Sequence, residues 1–378
     1  LLDIEWVEEA IQRASQRPEL NETGLLLWLR REFPPTLASQ AVLQIRLRQR
    51  ARRKFSRAEQ MWFTPEGLEQ SSSEALASYH ASRFPPDVLV VDAGCGIGGD
   101  LIALAGRGET AGVERDALRV RFARRNAAVY EVAQNCRLVH ADLLCLRLEE
   151  APFLFIDPAR RADGKRWALP EEWQPPWETV CLLASRVRGA LVKSTPVLVP
   201  TLVPPDGERE YISVDGECRE LLLAFGECRQ GVPLSALVLP HGARLVATGV
   251  PAPPVHPPME WIYDPDPAVV AAHLLPELAE LVNGYLLHPR IAYLTADRRV
   301  DTCFARAYRL IEQFPYSRQR LFERLRALRV GSLTIKKRGV NISPEQLERQ
   351  WKPAGDQAIT VLLYRADSGV VALLAHHA

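Results

Sequence analysis

The residues best placed to do chemistry lie between Val88 and Asp100, where VLVVDAGCGIGGD runs from an apolar stretch into a cluster of glycines. Gly94, Gly96 and Gly99 satisfy G-x-G-x-x-G, a spacing that lets backbone approach a ligand and opens a helix N-terminus. Alone, the pattern is common. Asp92 narrows it, because a carboxylate two residues before the first glycine projects into the place where a dinucleotide's pyrophosphate lies. A cofactor with a cationic amino-acid end fits better; the competing reading is a glycine turn that shapes an α/β domain and holds nothing. A second candidate is Asp157-Pro158-Ala159-Arg160, after the apolar run Phe153 to Ile156. Asp157 could take a proton or hydrogen bond from a nucleophile, or merely cap the next element. Arg160 or Arg161 could meet a phosphate.

Other chemistries find little support. The seven cysteines form no C-x-x-C pair and sit at no zinc-like spacing with a histidine, which predicts a reducing cytoplasm and no structural metal. The eight histidines show no spacing suited to metal ligation. Ser71-Ser72-Ser73 reads as a loop or helix start.

The elements that must position these residues follow from hydropathy. With 378 residues, 47% hydrophobic and 25% charged, the chain is of ordinary globular composition and excludes a wholly disordered or fibrous protein. No apolar run approaches the roughly 18 residues of a membrane span. Leu1 to Ala10 carries acids where a secretory signal is basic, so a cytoplasmic protein is expected. From Leu1 to about Arg83 the spacing of apolar residues is helical, with Pro34-Pro35 as a break. Strand-like runs at Asp87 to Asp92, Thr110 to Glu114, Cys136 to His140, Phe153 to Asp157 and Gly189 to Lys193 alternate with crossover helices, which predicts a parallel, doubly wound α/β sheet. Asp215-Gly216 joins Glu210 to Val214 with Glu220 to Phe225 as a terminal antiparallel hairpin. Pro267 to Asn283, Phe304 to Phe314 and Ser317 to Leu328 read as helices, and Ser332 to Lys336, Ala358 to Tyr364 and Gly369 to Leu374 as strands of a small α+β module.

The block from Val88 onward resembles the class I S-adenosylmethionine-dependent methyltransferases, whose fold is a Rossmann-like sheet. The resemblance implies S-adenosyl-L-methionine as cofactor, held by Asp92, Gly94, Cys95, Gly96, Gly98 and Gly99, by Glu114 and Arg115 after the second strand, and by Asp142 and Leu143 after the third. Glu114 would take the ribose hydroxyls and Asp142 the adenine amino group. Val113 to Leu144 is similar to the corresponding stretch of trimethylguanosine synthase, which methylates an exocyclic guanine amine. Trp62 to Phe84 (WFTPEGLEQSSSEALASYHASRF), Phe155 to Arg161 (FIDPARR) and Val330 to Val340 (VGSLTIKKRGV) resemble bacterial methyltransferases that carry a THUMP-like C-terminal domain.

That likeness implies Asp157, Pro158 and Arg160 as the catalytic set at the methyl acceptor. Amine methyltransferases have a second proline and an aromatic here; Ala159 and Arg160 replace them. A pyrimidine C5 mechanism needs a cysteine nucleophile after the fifth strand, and Ala190 to Leu198 (ALVKSTPVL) has none. Trp167, Trp173 and Trp177 either stack on an extruded base or pack.

Although the net charge is +1, cations cluster. Gln44 to Arg57 holds six arginines and Lys54 with no acid, either as a solvated helix face or as an RNA contact. Lys336, Lys337 and Arg338, followed by Gly339 at a strand end, are expected to meet nucleic-acid phosphates. The expected division is 1–83 helical, 84–229 methyltransferase, 230–300 small ferredoxin-like α+β, and 301–378 THUMP-like, with RNA as partner and no membrane or metal. Methylation of a protein or small molecule, or cofactor binding without turnover, stays open.

Overall fold

The computed structural model describes residues 3–146, 152–162, 165–166, 169–353 and 355–377. Two units divide the chain: Leu1–Ser194 with Leu223–Arg229, and Thr195–Leu222 with Gln230–Ala378.

The first unit begins with α1 (Ile4–Ala14), α2 (Glu22–Leu29), α3 (Pro35–Ala51), α4 (Pro65–Gln70) and α5 (Glu74–Ser82), as the helical spacing predicts. Asp3, Asn21 and Thr64 cap their helices by accepting from backbone N–H groups three residues on. Ile4, Val7, Leu29, Leu47, Met61, Trp62 and Phe63 form a core that also takes in Ile97 and Phe122, so this region packs directly on the elements carrying the glycine loop. Of the basic segment, Arg48 and Lys54 are drawn into the fold, whereas Arg46, Arg50, Arg52, Arg53 and Arg57 are exposed. Arg48 is buried, with its guanidinium on Glu8 and its Nε donating to the Met61 carbonyl. Lys54 donates to the carbonyls of Leu68, Glu69 and Ser71, while Arg52 pairs with Glu59 and Arg57 with Glu131.

The strands β1 (Val90–Ala93), β2 (Thr110–Glu114), β3 (Cys136–His140), β4 (Phe153–Ile156), β5 (Arg161–Ala162), β6 (Lys165–Arg166) and β7 (Gly189–Ser194) follow. Apart from the small β5–β6 pair, they form a parallel sheet in the order β7-β4-β1-β2-β3. The connections carry α6 (Gly99–Ala105), α7 (Ala117–Val129) and α8 (Trp177–Arg186). Because the order reverses beside β1, the carboxyl ends of β1 and β4 border the crevice where such sheets bind ligands.

After β7, β8 (Glu208–Val214) and β9 (Glu217–Gly226) are a hairpin whose Asp215 and Gly216 both have positive φ, 52° and 77°. β10 (Leu234–Leu239) pairs in parallel with β8, and β11 (Ala243–Val246) antiparallel with β10. A seven-stranded sheet follows, from β12 (Trp261–Pro265), β13 (Tyr285–His288), β14 (Ile291–Ala296), β15 (Ala305–Pro315), β16 (Val330–Arg338), β17 (Gln357–Ala366) and β18 (Gly369–His377). With α9 (Pro267–Ala271), α10 (Leu275–Val282), α11 (Arg318–Ala327) and α12 (Pro344–Gln350), it makes the C-terminal part α+β.

Two sequence expectations are corrected here. Phe304 to Phe314 is a strand: β15 is zipped to β12 on one side and β18 on the other, and a register shift between Leu310 and Glu312 breaks the period-two alternation. That bulge spaces Tyr308, Ile311 and Phe314 three apart, which imitates a helix face. Pro267 to Asn283 is two helices, separated at His273, whose φ is 57°.

Candidate active site

At the end of β1 the chain turns through Gly94, Gly96 and Gly98, with φ of 99°, 56° and 93°. Only glycine adopts these values freely. The Gly94 and Cys95 N–H groups donate to the Val113 carbonyl at 2.9 Å, which ties the loop to β2. A Cβ at Gly96 would stand in open space, and one at Gly94 would have only the Asp157 carbonyl oxygen near it, at 4.0 Å. The loop therefore leaves a cradle beside the segment carrying the acceptor candidate. Gly99 has an ordinary helical start; it is small because a Cβ there would meet the Ser71 Cβ at 3.1 Å.

The N-terminal region holds the loop from outside. Asn126 of α7 accepts from Trp62 N at 2.7 Å and donates to the carbonyls of Trp62 at 3.0 Å and Ile97 at 2.8 Å, all buried. Asn126→Ala strands three buried backbone groups at about 1 to 3 kcal/mol each. The expected result is a loss of at least about 3 kcal/mol in urea unfolding; a loss under about 1 kcal/mol would mean that water replaces the amide.

Two acids, Asp92 and Glu114, adjoin the loop, and Asp142 follows β3. Asp92 is 2% exposed, and its Oδ2 has no hydrogen-bond partner among the described residues. Burial, and then the charges of Asp100, Asp157 and Glu114, push its carboxyl well above the usual range against the pull of Lys193. Glu114 is buried at the end of β2, where Oε2 accepts from Gly96 N at 3.0 Å and Oε1 from Asp116 N at 2.8 Å. Asp142 is exposed and accepts from Leu144 N at 2.9 Å, with Leu143 half-buried beside it; Arg115 is exposed. Cys95 packs against Leu101 and Ala123, and burial drives its thiol well above the usual range, so it remains an un-ionised packing group.

On the other side of β1, Asp157 leaves β4 with Oδ2 at 2.6 Å from Lys193 Nζ, side chains 24% and 9% exposed. Lys193 also donates to Ser72 Oγ at 3.2 Å, Ser72 donates to Asp100 Oδ2 at 2.8 Å, and His80 Nδ1 lies 2.7 Å from Asp100 Oδ1. Burial opposes ionisation of Asp100, but His80, Lys193 and Ser72 outweigh it and hold its carboxyl below the usual range. Lys193, Ser72, Asp100 and His80 escaped the sequence reading. The available signal was a lysine following the apolar run Gly189 to Val192.

Pro158 is buried, and Ala159 exchanges both backbone hydrogen bonds with Gln174. Arg160 lies over the Trp173 ring at 6.0 Å. Trp173 and Trp177 are buried against each other edge to face, 5.6 Å apart, and so are packing residues. Trp167 and the Arg161 side chain lie outside the described residues. In the second unit, Lys336 and Arg338 both pair with Asp264, over the Tyr308 and Tyr293 rings respectively, while Lys337 is exposed. Among the described residues no group of three or more His, Cys, Asp or Glu could hold a metal, and no helix is long and apolar enough to cross a membrane.

A parallel sheet that reverses at β1, with a glycine cradle and a carboxylate closing the next strand, is the frame of a class I methyltransferase. The chain belongs to the S-adenosylmethionine-dependent methyltransferases. It is 33% identical over 317 residues to uncharacterized members of that group from Mycobacterium tuberculosis strains CDC 1551 and H37Rv, covering 82% of this chain and 86% of theirs. Residues 88–213 match the RNA cap guanine-N2 methyltransferase family, and residues 305–377 the THUMP domain-like family. The fold is shared over the full length of both chains, at a TM-score of 0.81 and 22% identity, with a crystal structure from Porphyromonas gingivalis W83 assigned as a methyltransferase. The protein is thus a transferase, and its cofactor is S-adenosylmethionine.

Proposed function

We propose that the enzyme methylates a base of RNA, with Asp157 facing the acceptor and the C-terminal region helping to hold the nucleic acid. The observation that carries this is the coincidence of the RNA cap guanine-N2 methyltransferase match with the residues that build the cradle and end in Asp157. The orphaned Asp92 carboxylate and the open space at Gly96 suit the cofactor: Asp92 would face its cationic amino-acid end, and Gly94 to Gly99 would bring backbone alongside it. Glu114 and Arg115 would hold the ribose, and Asp142 and Leu143 the adenine. Bound there, the cofactor supplies an electrophilic methyl group on a sulfonium. Asp157 orients the acceptor and takes the proton that a methylated amine releases. Pro158 and the Ala159–Gln174 pairing keep the backbone after Asp157 in place, and Trp173 steadies Arg160 for a substrate phosphate.

The same proposal keeps the segments 1–83, 84–229, 230–300 and 301–378, the last matching the THUMP domain-like family over most of its length. It places the protein in the cytoplasm, in keeping with seven free thiols. For RNA, Lys337 is the accessible cation of its cluster; phosphates reaching Lys336 and Arg338 must compete with Asp264. The salt slope from this cluster is therefore expected to fall short of three contacts at about −0.7 each.

Asp92 also sets a pH dependence. Its carboxyl is held well above the usual range in the free protein, chiefly by burial, and a cationic ligand binds the ionised form better. Affinity should therefore rise with pH until the cofactor's own amine begins to lose charge near about 8, and fall by up to tenfold per unit below the Asp92 midpoint. Calorimetric titration across that range checks it, and Asp92→Asn should flatten the slope. Labelled methyl transfer to total RNA, set against total protein and a small-molecule extract, tests the substrate class; label in protein or small molecules alone would overturn the RNA reading.

A further inference from the structure

We propose that Lys193 is the shared counter-cation of the two half-sites, a positioning residue that holds the acceptor-side carboxylate Asp157 directly and the Asp100 carboxylate through Ser72. Its loss should therefore impair cofactor binding as well as methyl transfer.

The geometry is a single chain of donors. One ammonium donates to Asp157 Oδ2 at 2.6 Å and to Ser72 Oγ at 3.2 Å, and that hydroxyl passes its own proton to Asp100 Oδ2 at 2.8 Å. Asp100 stands in the first turn of α6, directly after the glycine loop, and His80 of α5 meets its other oxygen at 2.7 Å. Lys193 ends an otherwise apolar run in β7, where an ammonium is costly to bury unless acids require it. They do. Asp92 on β1 is influenced by the charges of Asp100 from α6, Asp157 from the end of β4 and Glu114 from β2, with Cys95 beside it as a neutral thiol; Lys193 opposes them at Asp92, and His80 joins it at Asp100. Without the ammonium, buried acids of one sign face each other, and the cheapest relief is for Asp92 to keep a proton. A protonated Asp92 is poorly suited to a cationic ligand. The half-site that accepts the methyl group and the half-site that holds its donor thus share one charge.

This inference rests on Asp92 meeting the cationic end of the cofactor, and it does not depend on which substrate is methylated. The test uses the full-length protein and S-adenosylhomocysteine as probe, titrated calorimetrically between about pH 5.5 and 8.5, on either side of an α-amino group's ordinary titration. Lys193→Met should move the midpoint of the affinity profile up by about one unit or more, the usual scale for losing a neighbouring opposite charge. At a fixed pH below that midpoint, affinity should fall about tenfold or more. Lys193→Arg should restore the wild-type midpoint, and Lys193→Gln, neutral but still able to donate to Asp157, should shift it as Lys193→Met does. Should Lys193→Met fail to fold, the Lys193→Gln shift decides, and an unmoved Lys193→Gln midpoint counts against the inference. A sloped wild type with an unshifted, folded Lys193→Met overturns it alone. A wild type flat with pH removes the Asp92 assignment beneath it, whatever RNA assays report.

Discussion

Asp157→Ala is expected to leave cofactor affinity within a few-fold of wild type while lowering turnover by about 100-fold or more, the usual scale for a positioned acid or base. The carboxylate follows β4 and lies across β1 from Glu114, and no hydrogen bond joins it to the glycine loop among the described residues. Removing it takes away the group that orients the acceptor and receives its proton. It also removes one like charge from Asp92, which works slightly in favour of cofactor binding. Single-turnover methylation combined with a cofactor titration separates the two effects. Equal loss in both would show that Asp157 serves the cofactor, and unchanged turnover would reduce it to a partner of Lys193.

Glu114→Ala should act on the opposite half. Its carboxylate accepts from Gly96 N and Asp116 N, so it shapes the loop and, in the proposed function, has lone pairs left for two ribose hydroxyls. Two hydrogen bonds to a charged group at about 1.5 to 3 kcal/mol each amount to roughly 3 to 6 kcal/mol. With about 1.4 kcal/mol per tenfold, cofactor affinity should weaken by at least about 100-fold. Turnover at saturating cofactor should change much less. Calorimetry on a variant with an unaltered melting profile checks this, and retained affinity would remove Glu114 from the site.

The half of the site lying on one continuous stretch was legible in the sequence. Asp92, the glycines and Glu114 sit at the ends of apolar runs with sharp boundaries, and Thr110 to Glu114 and Cys136 to His140 fold as strands with those same limits. Asp157 was legible too, but the network behind it was hidden because its parts meet only in three dimensions. Ser72 and Lys193 are 121 residues apart, and a lysine at a strand end and a serine in a triple-serine run carry no mutual mark. The local partners of the cationic segments were hidden for a related reason. Glu8 lies 40 residues before Arg48 and Asp264 lies 72 before Lys336, so a run free of acids in sequence is not free of them in space. In β15 the bulge disguised a strand, which only its two neighbouring ladders reveal.

The central claim is tested most directly by where the methyl group goes. RNA incubated with the enzyme and labelled S-adenosylmethionine, digested to nucleosides and resolved by mass spectrometry, should yield a nucleoside with the added mass on its base. That product should fall about 100-fold or more with Asp157→Ala and persist when cysteines are replaced, since none is assigned as nucleophile. A methyl group found only on ribose, or a covalent enzyme–RNA adduct trapped during turnover, would contradict the account.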